Sequence, residues 1–134
     1  MVDRAILSLA KLVFYVYAML WLLARRGVKV VKAGDILRLF YMDFLRIRRE
    51  YIEVVKLDHC ELVTRCSNPC PILSLSLRLG LDTRYTCRRV SEPVCYFVLK
   101  KLRHDAEFER NYDWIRPYRG SCEERIYLSS CSST

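Results

Sequence analysis

The chain has 134 residues, 52% of them apolar and 28% charged, and a formal net charge of +8 from 23 Lys and Arg against 15 Asp and Glu. That length sets one domain with a core large enough to stand without staples, and that composition excludes a disordered chain. The basic residues are dispersed, and the densest run, Arg46 to Glu50, holds a carboxylate on an expected helix face, so nucleic acid is not the expected partner despite the charge.

Leu12 to Ala24 is continuously apolar, and two arginines follow it. As a helix that stretch covers only about 20 Å, short of what a bilayer needs. Upstream, Arg4, Ser8, Lys11 and Tyr15 recur at helical spacing, which makes a polar stripe. The expectation is a helix over 5–26 that serves the core or a homodimer interface, closed by Gly27. Lys11 would face water, and membrane is not an expected partner. A membrane-tethered protein stands behind the other readings as a further alternative.

Asp35 suits the N-cap of a second helix, 35–50, whose apolar face is Ile36, Phe40, Phe44 and Ile47. Tyr51 to Arg65 is rich in β-branched residues and partly alternates, so one long or broken strand is expected over 51–65. Helices are expected over 71–103. Pro71 opens the first and Gly80 ends it, Asp82 or Thr83 caps the next, and Ser91 with Pro93 looks like a fresh start. Val94, Phe97, Val98 and Leu102 give that last helix an apolar face. Phe108, Arg110, Tyr112 and Trp114 alternate, a turn follows at Pro117 to Gly120, and Cys122 to Leu128 is a second short strand. The two make a hairpin over 107–128, and 129–134 is a polar, frayed tail. The fold class is therefore α+β: two N-terminal helices, then a small antiparallel sheet of one long strand and a C-terminal hairpin, covered by helices, in a single domain 1–134.

Seven cysteines stand at 60, 66, 70, 87, 95, 122 and 131. No basic start leads to a short apolar core and a cleavage site, so a cytoplasmic location is expected and secretory disulfides are not. Buried thiols, metal ligation, catalysis, or the intracellular disulfides of hyperthermophiles remain as explanations. No C-x-x-C pair, Gly-rich phosphate loop, G-x-S-x-G elbow or H-E-x-x-H occurs. No cofactor is assigned. Zinc or iron on Cys70, Cys87 and Cys122 is the metal alternative, with His59 nearby in sequence. Cys70 sits at a helix N-terminus and Cys87 among Arg84, Arg88 and Arg89, and both surroundings favour a thiolate. Cys122 shares a strand face with Glu124. These are candidates for a nucleophile with an acid/base partner. Cys95 is expected in the core, and Cys131 is expected to be inert in the tail.

The order of these features resembles the L-2-amino-thiazoline-4-carboxylic acid hydrolase family: Cys70-Pro71, then Leu79 to Asp82, Cys87, a helix, a strand, and a glycine-containing turn before Cys122. The likeness covers most of residues 5–128. The turn reads Gly120-Ser121-Cys122 without the family's aspartate, and Cys60 and Cys66 are additional. The resemblance implies hydrolytic opening of a cyclic amidine carboxylate by cysteine-centred chemistry, with Cys70, Cys87 and Cys122 matching the family's cysteines. Local chemistry adds Glu124 as the acid/base partner and Arg88 for the substrate carboxylate. A more distant likeness, to 4-vinyl reductase-type domains, implies instead a non-catalytic sensor whose partner is a small molecule or a metal.

Overall fold

The structure, a computed structural model, describes residues 2–131. Helix α1 is Val2–Ala24, with Asp3 in its first turn, where a carboxylate complements the helix dipole. It therefore begins earlier and ends earlier than the 5–26 reading. Gly27 follows at φ 90°, a left-handed turn that glycine adopts freely.

Helix α2 runs over 33–44: α-helical at Ala33–Ile36, then π-helical at Leu37–Phe44. Asp35 lies inside it rather than at its cap. Its Oδ2 accepts the backbone N–H groups of Val31 and Lys32, at 3.0 and 3.1 Å, which satisfies donors at the helix start. The expected end at Glu50 is also corrected. Arg46 adopts φ 55°, which stops the helix and folds the backbone back, so that the Ile47 N–H donates to the Tyr41 carbonyl. Ile47 thereby tucks into the core while Arg48 and Arg49 stay in water. Ile36, Phe40, Phe44 and Ile47 are all buried, as their spacing requires.

The long or broken strand expected over 51–65 is a hairpin: β1, Ile52–Leu57, and β2, Glu61–Cys66. The turn is made by Asp58, whose Oδ1 accepts the N–H groups of Cys60 and Glu61, both at 2.8 Å. This is the local side-chain turn that aspartate favours. A bulge at Val55 shifts the register of β1 against β2. Helix α3, Pro71–Leu79, starts on Pro71 and ends on Gly80 at φ 67°, both as the sequence punctuation indicates.

Residues 83–102 form one helix, α4, made of Thr83–Thr86, a π turn at Cys87–Ser91, and Glu92–Leu102. Asp82 caps it through the Arg84 N–H at 2.9 Å. Ser91 and Pro93 do not start a new helix, contrary to the sequence reading. Proline removes one hydrogen bond and crowds the carbonyl before it, and a π turn immediately upstream lets the helix pass such a residue unbroken.

Strands β3, Ala106–Asn111, and β4, Cys122–Leu128, pair as the expected C-terminal hairpin. The first strand stops at Asn111, because Trp114 turns back to donate its Nε1–H to Ser121 Oγ at 2.9 Å. The four strands form an antiparallel sheet in the order β1-β2-β4-β3. One face buries Leu62, Phe108, Ile126 and Leu128 under the helices. The other carries ion pairs such as Arg65–Glu123 and Arg125 with Glu61 and Glu109.

Phe44 is the aromatic centre of the helical layer, with Phe14, Tyr17, Trp21 and Phe40 at 5.7, 5.2, 5.1 and 5.8 Å between ring centroids. The start of the tail is tied down rather than frayed. Ser129 and Ser130 bond to Asp105, and Cys131 forms a disulfide with Cys60, with Cα atoms 5.6 Å apart. Cys131 is thus a structural partner, not an inert thiol. Residues 132–134 of the expected tail lie outside the described residues.

Candidate functional site

Two features stand out: a buried polar cluster between the sheet and α4, and an uncovered apolar side of α1.

At the centre of the cluster, Arg110 of β3 donates from Nη2 to Glu124 Oε2 of β4 at 2.7 Å, and from Nη1 to Ser91 Oγ at 3.2 Å. The side chains are 8% and 6% exposed. Beside the pair, Thr64 donates to the Tyr41 hydroxyl at 3.0 Å, and both residues are fully buried. Arg110 Nε has no hydrogen-bond partner.

Of the five residues expected to form the site, Glu124 belongs to this cluster, and Cys87, Cys70 and Cys122 lie around it. Cys87, in the π turn, interacts electrostatically with Arg110, Cys70, Cys122 and Glu124. Cys70 is half-buried at the N-cap of α3. Cys122 opens β4 directly opposite Cys66 of β2. Its Sγ accepts the Arg116 Nε–H at 3.2 Å and the Arg116 backbone N–H at 3.4 Å. Arg116 also donates to the Asn68 carbonyl and, through its own carbonyl, accepts the Thr83 hydroxyl at 2.6 Å. It thereby ties the loop before β4 to the segments on either side of α3. Arg88 stands apart: it is exposed and stacked on the Tyr112 ring at 4.2 Å.

The sequence reading missed Arg110, Arg116, Thr64, Tyr41 and Cys66 as members of this cluster. Arg110 had a signal, since it alternates with Phe108 and so shares the inward face of β3, where a charge needs a partner. Cys95 is buried, as expected, 3.8 Å from Ser91 Oγ.

Three buried thiols lie around the Arg110–Glu124 ion pair. Burial pushes the Cys66 and Cys95 thiols up to about 12 and Cys87 up to about 11. Glu124 is committed to Arg110. Among the described residues, no three His, Cys, Asp or Glu side chains are placed to hold a metal ion. An open depression of about 280 Å³ on β3 and β4 is lined by Glu109, Arg110, Asn111, Glu123, Glu124 and Arg125. Another, of about 350 Å³, lies near Tyr51 and Gly120. Neither is lined by a cysteine.

The second feature is α1. Its inner side buries Leu7, Ala18 and Trp21 against the domain. On the outer side Leu9, Leu12, Val13, Val16, Met19, Leu20 and Leu23 are each at least half exposed. Their spacing places them along a single stripe of the helix that no polar residue interrupts. Lys11 does not break this stripe. It is partly exposed on the domain-side flank, with its ammonium 6.0 Å from the Tyr15 ring. In the most apolar 18-residue window of α1 only 17% is buried, which a core helix does not show.

No family model, curated protein or solved structure matches the chain.

Proposed function

We propose that the protein is a non-catalytic module tethered to a membrane through α1. The uninterrupted apolar stripe from Leu9 to Leu23 carries this reading. Seven exposed aliphatic side chains in one strip exceed the few hundred Å² of contiguous apolar surface that soluble monomers leave in water. Because the inner side of α1 packs on the domain, the helix would lie in the plane of the membrane surface with its outer stripe among the acyl chains rather than cross the bilayer.

Charge favours lipid over a second copy. Each chain carries +8, and Arg26, Lys29 and Lys32 follow the stripe, with Arg25 beside them paired to Asp43, so anionic headgroups attract what two copies would repel. The stripe also lacks any polar or charged group that would fix the register of a helix pair.

The test is flotation of the full chain with anionic phosphatidylglycerol vesicles and with neutral phosphatidylcholine vesicles. The protein should float with vesicles, more strongly with the anionic ones, and a Val16→Asp/Leu20→Asp variant should stay behind with an unchanged circular dichroism spectrum. Wild-type protein that remains in the aqueous fraction overturns the reading. If that fraction elutes as a dimer that the double variant dissociates, the stripe belongs to a second copy.

One other reading is cysteine-centred hydrolysis of a thiazoline carboxylate; the electrostatic coupling of Cys87 to Cys70, Cys122 and Glu124 supports it, and Cys122, whose sulfur two N–H groups approach, would be the nucleophile. Incubating the full chain with 2-amino-thiazoline-4-carboxylate and following ring opening tests it. Turnover abolished by Cys122→Ala supports this reading, and no turnover removes it.

A further inference from the structure

Cys66 and Cys122 are direct register partners on adjacent antiparallel strands, both turned to the helix-covered face of the sheet. Residues so paired hold their Cβ atoms about 4.5–5.5 Å apart, and a disulfide needs about 3.5–4.5 Å, so a small shift of the two strand ends closes the gap. Cys66 and Cys122 also interact electrostatically. The two sulfurs differ in surroundings. Cys66 is 3% exposed. Cys122 is half-buried, and the Arg116 guanidinium and backbone N–H both point at its Sγ. One thiol is reachable from solvent, and the other stands behind it.

We propose that Cys66 and Cys122 form a dithiol modification site, oxidised to a cross-strand disulfide by a two-electron oxidant of the peroxide class. The Cys122 thiolate attacks one oxygen of hydrogen peroxide; the S–O bond forms, the O–O bond breaks, and the departing hydroxide takes a proton and leaves as water. The Cys66 sulfur then attacks the Cys122 sulfenic acid. The S–S bond forms, the S–O bond breaks, and the Cys66 proton leaves with that oxygen as a second water. Two thiols and one peroxide give one disulfide and two waters, with two electrons passing from the sulfurs to the peroxide.

Closing this bond draws Cys122 Sγ toward β2 and away from Arg116. Arg116 joins the loop before β4 to Asn68 and Thr83, so oxidation loosens that loop while it staples the centre of the sheet. The site is separate from Cys60–Cys131, which closes the rim of the sheet.

The experiment treats the full chain with hydrogen peroxide, blocks the remaining thiols with an alkylating agent in denaturant, and maps peptides by mass spectrometry before and after reduction. Two of the five free thiols should be lost together, recovered by dithiothreitol, and found in one linked peptide pair containing Cys66 and Cys122. Cys66→Ala should leave Cys122 to oxidise further to the sulfinic acid, and Cys122→Ala should leave Cys66 fully alkylatable. Should Cys66→Ala fail to fold, Cys122→Ala and the wild-type peptide map decide the matter. Linkage of Cys122 to Cys70 or Cys87, a sulfinic acid at Cys122 in wild-type protein with Cys66 still free, or five alkylatable thiols after treatment would each overturn the proposal.

Discussion

Arg110 and Glu124 face each other across β3 and β4, with 2.7 Å between Nη2 and Oε2 and each side chain more than nine-tenths buried. The pair sits under α4, on a sheet face otherwise made mostly of apolar side chains, with Thr64 the other buried polar residue of that face. Removing one partner strands a charge in a poorly solvated place, which costs about 3–5 kcal/mol. Replacing both with apolar groups of similar volume is far cheaper. Urea unfolding should therefore rank Glu124→Leu and Arg110→Met each well below wild type, with the Arg110→Met/Glu124→Leu double variant more stable than either single one. A double variant that simply adds the two losses would show that the pair does not act as a unit.

The three deeply buried thiols predict an alkaline weakness. Their folded values lie at about 11 for Cys87 and about 12 for Cys66 and Cys95, above the roughly 8.5 of an unfolded thiol. An acid whose folded pKa is raised holds its stabilising effect below the unfolded pKa and loses it as pH climbs toward the folded one. Each thiol should therefore cost about 1.4 kcal/mol per pH unit above roughly pH 8.5, until it ionises in the folded state. Thermal melts between pH 8 and pH 11 measure this, and Cys95→Ala should flatten the pH slope even though it lowers Tm at neutral pH.

The Cys60–Cys131 bridge spans 71 positions of sequence, and closing a loop of that size contributes roughly 4 kcal/mol in the chain-entropy view. Reduction, or Cys131→Ser, should lower the urea midpoint accordingly. Because the bridge also holds Ser129 and Ser130 near Asp105, hydrogen exchange should rise first at the Leu128 amide, which donates to the Cys60 carbonyl.

The two sides of α1 should respond oppositely to mutation. Trp21 packs edge-on to Phe44 at 5.1 Å, so Trp21→Ala should cost about 3–5 kcal/mol. Leu12→Asp on the outer stripe should change stability by less than about 0.5 kcal/mol, while it weakens vesicle binding. A large stability loss from Leu12→Asp in water would mean that the stripe is already covered.

Element types followed from local chemistry that the sequence displays. Pro71 and Gly80 bracket α3, Asp82 caps α4, and the 3.6-residue spacing of Ile36, Phe40 and Phe44 marks the buried face of α2. What local pattern could not show came from tertiary context. The β-branched content of 51–65 is the same for a long strand and for a hairpin, and the choice was made by one carboxylate, Asp58, closing a turn. Pro93 reads as a helix start until a π turn absorbs it. That Cys122 comes opposite Cys66 depended on which strands pair, and the Cys60–Cys131 bond joins residues with no motif between them. Arg110 was half visible, since its alternation set the direction but not the partner.

The strand order β1-β2-β4-β3 gives the sheet a particular history. Each hairpin can close on its own from neighbouring residues, but the central seam pairs 61–66 with 122–127, and no local contact helps the two find each other. Contacts so distant in sequence slow folding. If docking of the two hairpins across that seam limits the rate, substitutions along β2–β4 should slow folding more than those in either turn, which stopped-flow refolding of the variants would show.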